Sequence, residues 1–163
     1  MVCMTDLATI YGDSGQSEKA LALQMTEVEM KKRAWGEEYH GKLVSISNMC
    51  MNLFRMGQCA EAERRQRANL EVELRVENPI TQLPMANLAY MLEEEGRFDE
   101  AVAVMEVCLP LSEKSLSTNH PQLASNRFTM ARVTAKARLA RAKEAEGKRG
   151  ERQERRKARG RRR

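Results

Sequence analysis

The residues able to carry chemistry are few and poorly spaced for it. Four cysteines, Cys3, Cys50, Cys59 and Cys108, are widely separated and form no C-x-x-C pair. A disulfide or a zinc site is open to them in principle, but buried thiols in a reducing compartment fit the spacing better. The two histidines, His40 and His120, lie 80 residues apart, with no Cys or carboxylate cluster at metal-ligand spacing. No H-E-x-x-H, G-x-S-x-G, phosphate-loop or G-x-G-x-x-G string occurs. Catalysis, a metal and any other cofactor are therefore not expected. One constellation is dense. The run from Lys148, which ends in Arg155, Arg156, Lys157, Arg159, Arg161, Arg162 and Arg163, has no apolar residue except Ala158. Such a tail cannot fold alone. It binds phosphate backbones or acidic surfaces, serves as a nuclear address, or is merely solvated. Lacking an aromatic to stack on bases, it should bind nucleic acid without sequence preference and with steep salt dependence.

Charge separates this tail from the elements before it. The net +5 of the 163 residues divides into 14 basic and 19 acidic side chains up to Ala135, then 14 basic and 4 acidic from Lys136 on. An acidic body of −5 thus carries an appendage of +10. Hydrophobic residues at 42% suffice for one packed interior, and aromatics at only 4% beside 11 methionines favour helices over strands. No apolar run is long enough for a membrane span, and the first residues lack a secretory signal. The expected location is the cytoplasm, or the nucleus if the tail acts as an address.

Self-similarity organises the body. Gly15, Gly57 and Gly96 are separated by 42 and 39 residues. Five residues after each stands an alanine (Ala20, Ala62, Ala101), closely preceded by Glu18, Glu61 and Asp99-Glu100. Eight before each glycine is Leu7, Met49 or Leu88; seven before, Ala8, Cys50 or Ala89; four before, Tyr11, Leu53 or Leu92. The −8, −7 and −4 positions share one face of a helix, which the glycine ends by turning left-handed. The alanine at +5 lies on a second, antiparallel helix, and the small residues let the two backbones approach. Tyr39-His40, Asn78-Pro79 and His120-Pro121 announce each following first helix. The last of these opens a degenerate fourth unit, in which Met130, Ala131 and Thr134 match but Arg138 occupies the glycine's place. The pattern predicts helices at about 4–14, 17–34, 42–56, 59–76, 81–95, 98–115 and 121–146. Pro110 should kink the sixth or end it early.

These residues resemble the tetratricopeptide repeat, through Met4-x-x-Leu7-Ala8-x-x-Tyr11 followed by Ala20. The longer period, Trp35-Gly36-Glu37-Glu38-Tyr39-His40 and Thr118-Asn119-His120-Pro121 are similar to the linkers of kinesin-light-chain-type repeats. Ser47-Asn48-Met49-Cys50 and Ala86-Asn87-Leu88-Ala89 are similar to that family's helix start. Departures are Gln24, Gln66 and Met105, which replace a bulky aromatic, and Arg138. The resemblance covers about residues 2–135 and implies an all-α fold. This is a right-handed α-solenoid of about three hairpins with a C-terminal capping helix and a basic disordered tail. The hairpins would occupy about 2–40, 41–78 and 79–120, a degenerate fourth would start at 121, and 136–163 would form the extension. The array looks truncated or decaying, or a fragment of a longer product.

The same resemblance implies a peptide-binding groove lined by the first helices. Asn48 and Asn87 would contact an extended peptide's backbone, because an amide both donates and accepts. Asn52 and Arg55, then Met91 and Glu94, follow on that face. The alternative is that both asparagines are solvated or cap the hairpin. Trp35 is expected to pack between repeats, Glu93-Glu94-Glu95 to be a solvated face, and most methionines to be core. The functional expectation is a non-enzymatic scaffold for a peptide or protein, with no membrane role. Its alternatives are nucleic-acid binding through the tail and a detached segment of a larger sensor.

Overall fold

The computed structural model describes residues 2–36, 39–75 and 82–160, without the side chains of Val2, Cys3, Arg75 and 153–160. The Asn78-Pro79 marker and Arg161, Arg162 and Arg163 lie outside the described residues, as do the side chains of Arg155, Arg156, Lys157 and Arg159. Among the described residues seven helices succeed one another: α1 (Val2–Asp13), α2 (Ser17–Trp35), α3 (His40–Arg55), α4 (Cys59–Arg75), α5 (Gln82–Glu94), α6 (Phe98–Ser115) and α7 (Pro121–Gly160). Each packs on the next, and the first helices of successive hairpins, α3, α5 and α7, also touch. The arrangement is an all-α helical-repeat solenoid.

The glycines act as their spacing requires. Gly57 (φ 79°) and Gly96 (φ 76°) are left-handed. After each, the following amide reaches back to the −4 residue, Gln58 N–H to Leu53 O at 3.0 Å and Arg97 N–H to Leu92 O at 2.9 Å. The glycine amides donate to Phe54 and Glu93 carbonyls. These paired bonds satisfy carbonyls that the ending helix would otherwise leave open. Across each turn the small residues meet: Ala8, Cys50, Ala89, Ala20, Ala62 and Ala101 are all 0% exposed. Two apolar clusters result, one around Met49, Cys50, Leu53, Ala62 and Met91, the other around Leu88, Leu92, Met105 and Val133.

The two glutamines in the aromatic's place have a structural reason. Gln24 accepts from Asn52 Nδ2 at 2.9 Å, and Gln66 donates to Ser47 Oγ at 3.0 Å and to the Pro84 carbonyl at 2.9 Å. Each thus reaches from a second helix into a neighbouring first helix. Further along α2, Glu27 accepts from Thr5 of α1 and from Lys31, whose ammonium also donates to Ser45 Oγ of α3 at 2.8 Å. Buried amides and hydroxyls therefore complement the aliphatic packing between hairpins.

The sixth helix keeps its expected bounds, so of the two outcomes expected of Pro110 an early end does not occur: α6 continues five residues beyond it. Pro110 and Glu106, whose carbonyl loses its amide partner, are both exposed, so water can replace the missing donor. Two other expectations need correction. A disordered tail does not begin near residue 146, because α7 is helical to Gly160. Arg138 gives the chain no reason to turn, and the Ala, Arg, Lys and Glu that follow favour helix. Lys148 and Glu144 add an i,i+4 pair at 2.5 Å. Trp35, finally, does not pack between repeats. It is 53% exposed and stacks on Tyr39 of the linker, ring centroids 4.8 Å apart.

Candidate peptide-binding face

The first helices place the expected groove residues in two layers. Asn48 of α3 is half-buried, and among the described residues its amide has no hydrogen-bond partner. Asn87 occupies the same register in α5. Its Nδ2 donates to Ser47 Oγ at 3.1 Å, leaving the carbonyl oxygen without a partner among the described residues. Ser47 Oγ also accepts from Gln66, so Asn87 is held by a ligature that joins α3, α4 and α5.

Asn52 and Met91 do not belong to this surface. Asn52 is 4% exposed and bonded to Gln24, and Met91 is 1% exposed within the cluster around Met49 and Leu53. One helical turn from an accessible residue remains within the wide arc that α3 and α5 bury between neighbouring hairpins. Arg55 and Glu94 do reach solvent. They share a register two residues before Gly57 and Gly96, and the same register holds Asp13 in α1 and Lys136 in α7. Charge thus alternates along the solenoid, Asp13, Arg55, Glu94, Lys136. Arg55 Nη1 lies 3.6 Å from Asp13, and Lys136 turns to Glu93 at 2.8 Å.

Sequence reasoning missed Tyr90. It is exposed, lies one turn from Asn87 and meets Phe54 of α3 edge to face at 6.1 Å. An aromatic three residues after the asparagine was the available signal. Glu93 was misread as part of a solvated run. It is buried, and its carboxylate takes the Arg132 guanidinium through two oxygens and Lys136 as well, tying α7 to α5. Burial pushes its pKa up, but the hydrogen bonds from Arg132 and Lys136 outweigh this and hold it below the ordinary glutamate value.

Nucleophiles are poorly served. Burial drives the Cys50 thiol up to about 12 and raises that of Cys108. Cys59 is free and half-buried rather than core. His120 caps α7, its Nδ1 accepting the Gln122 amide at 3.1 Å. Of the methionines, Met49, Met85, Met91 and Met105 are core, while Met25 and Met30 face solvent on α2. A cleft of about 270 Å³ between α2, α3 and α4 is lined by aliphatic side chains together with Lys42, Arg64, Arg65 and Asn69, and by neither carboxylate nor imidazole. Among the described residues, no three His, Cys, Asp or Glu side chains converge on a possible metal position, and no helix is long and apolar enough to cross a membrane.

Comparison with known proteins agrees with this geometry. The tetratricopeptide repeat family model matches residues 85–122. No curated protein matches the sequence. Among solved structures, the nearly identical TPR-like repeats of a kinesin-light-chain-type protein from Podosopora anserina superpose with a TM-score of 0.72 at 22% identity, over 83% of this chain and 65% of that one. A single-substitution variant of that same protein gives the same values. BtubC (BKLC) from P. vanneervenii superposes at 0.69 with 18% identity, over 82% of this chain and 55% of that one. The chain therefore spans less than two thirds of the length of these structures. Residues 85–122 match the tetratricopeptide repeat, and over 83% of its length the chain shares the helical-repeat solenoid fold of these structures.

Proposed function

We propose that the chain is a non-enzymatic scaffold that holds an extended peptide along the first helices α3 and α5. The observation that carries this is the pair of open amide positions, Asn48 and the Asn87 carbonyl, one repeat apart in the same register. An amide with an unused donor or acceptor matches a peptide backbone without reading its side chains. Alternating charges at Arg55 and Glu94 suit a peptide of mixed sign rather than a uniformly charged one. Tyr90 supplies an apolar contact between them. The test is a peptide selected from a displayed library on the full chain and then titrated. Asn48→Ala with Asn87→Ala should leave helicity unchanged and weaken binding by about tenfold or more. Equal affinity for the double variant would remove the groove.

The basic extension supports a second reading, attachment to nucleic acid in the cytoplasm or nucleus. Arg138, Lys143, Arg149 and Arg152 are all exposed on α7 and lead into the Arg-rich end. Deleting residues 148–163 and titrating RNA or DNA at two salt concentrations tests it, since counterion release makes such binding steeply salt-dependent. Binding that survives the deletion, or ignores salt, defeats this reading.

A further inference from the structure

Among the described residues, the first and last helices bury different registers. At the N-terminal end, Leu7 is 40% exposed while its neighbour Ala8 is 0% exposed. In the complete hairpins both registers are closed: Met49 and Leu88 are buried, as are Cys50 and Ala89. The −8 register therefore buries against the preceding hairpin, and the −7 register against the hairpin's own second helix. At the C-terminal end the pattern inverts. Met130 is half-buried against α5 and α6, whereas Ala131 is exposed. Among the described residues, α7 is a first helix with no second helix packed on its −7 register.

The uncovered arc is mostly apolar, with Arg138 set between Ala135 and Ala142. Ala124, Phe128, Ala131, Ala135 and Ala142 follow at helical spacing, and all are exposed, Phe128 at 65%. Small residues along such a stripe allow close helix approach, and Phe128 offers a large apolar edge. Among the described residues nothing covers this arc, because α7 runs straight through the position where the other units turn.

The charge around the arc selects what can. Residues 121–143 contain six cations, Arg127, Arg132, Lys136, Arg138, Arg141 and Lys143, and no acid. Four of these are committed to Glu113, Glu93 and Asp99 of the body. Arg138 and Lys143 have no ion-pair partner among the described residues. A second copy of α7 would bring like charge against like, which opposes self-pairing. The chain's own second helices show the complementary chemistry. Each carries acid in its first turn (Glu18, Glu61, Asp99 and Glu100) and then the alanine that crosses its first helix. By the register of those hairpins, such a first turn would lie beside Arg138.

We infer that α7 is the acceptor for a single amphipathic helix from a partner protein, acidic in its first turn and carrying alanine where it crosses Ala131, which completes a fourth hairpin in trans. The site is distinct from the peptide face and does not depend on it.

The probe is a fluorescein-labelled peptide with the α6 sequence, Phe98–Ser115, kept reduced and titrated into the full chain by anisotropy. Saturable binding is expected, weakened by about tenfold or more in Ala131→Arg and several-fold in Arg138→Glu. Ala131 is exposed, so the arginine leaves the fold intact, and circular dichroism checks this. Four results overturn the inference. The wild-type chain shows no saturable binding. Ala131→Arg binds equally, which places the peptide at α5 in competition with the resident α6. A scrambled peptide of the same composition binds equally, which reduces the contact to charge. Sedimentation shows a wild-type dimer that Ala131→Arg dissociates, which makes the face homotypic.

Discussion

Asn52 Nδ2 donates to Gln24 Oε1 across 2.9 Å, with both side chains almost wholly buried between the first and second hairpins. The bond explains why a polar residue stands where such repeats more often carry an aromatic. Two buried amides satisfy each other at a junction that apolar contact alone would leave unspecific. Replacing one partner strands the other. Gln24→Leu should lower unfolding free energy by about 1–3 kcal/mol, and adding Asn52→Leu should recover part of that loss. Urea unfolding of the two single variants and the double variant measures the coupling. Additive losses would show that the bond contributes nothing specific.

Glycines in the chain have opposite requirements. Gly96 has φ 76° at the turn between α5 and α6, and no atom crowds the place of a side chain there. The cost of Gly96→Ala is therefore backbone strain alone, about 1–2 kcal/mol. Gly147, by contrast, lies within α7 with open space around it. Gly147→Ala should favour the helical extension by up to about 1 kcal/mol. Far-ultraviolet ellipticity reads the gain, and a thermal melt reads the Gly96 loss. If both substitutions act in the same direction, the left-handed turn is not what limits Gly96.

Most of the fold was legible because its signals are local. A glycine ends a helix, an alanine five residues later permits close approach, and both were visible as spacing. The first six helices consequently lie within two residues of their expected ends. What escaped depended on a partner distant in sequence. Gln24 and Gln66 looked like losses until Asn52 and Ser47 were placed opposite them. Asn52 and Met91 looked accessible because they follow Asn48 and Asn87 by one turn, but a first helix inside a solenoid is covered on more than one side. The length of α7 was misjudged for another reason. Loss of hydrophobic pattern was read as loss of helix, whereas alanine and charged residues sustain one without a core.

Glu73 of α4 should make the solenoid less stable in alkali. Its carboxylate is buried and accepts only a long bond from Asn69 Nδ2, 3.4 Å, while its second oxygen has no partner among the described residues. Burial raises its pKa from 4.5 to about 7, with Asn69 opposing weakly. The native state thus holds this proton more tightly than the unfolded state. The stabilisation is complete below 4.5 and disappears as pH rises through about 7. Glu73→Gln should raise stability on the order of 2 kcal/mol in alkali and change it little in acid. Melting curves across that range test the difference, and a pH-independent effect of the substitution would refute it.

Glu93 carries the opposite dependence and a further asymmetry. It lies buried on α5, while its partners Arg132 and Lys136 reach it from α7 with their own side chains 37% and 45% exposed. Glu93→Gln leaves two cations that can turn to water, so its cost should be about 1–2 kcal/mol. Arg132→Met with Lys136→Met instead leaves a buried carboxylate unpaired, which should cost roughly 3 kcal/mol or more. Removing the cations should therefore destabilise the α5–α7 junction more than removing the acid. Because the hydrogen bonds hold Glu93 below 4.5, the unfolded state takes up the proton first as pH falls. Its stabilisation is present above that value and is lost below it. Hydrogen exchange of the amides around Val133 reports the junction directly. In acid the wild-type chain should exchange like Glu93→Gln, whereas equal protection in both cation and acid variants at neutral pH would mean that apolar contacts alone dock α7.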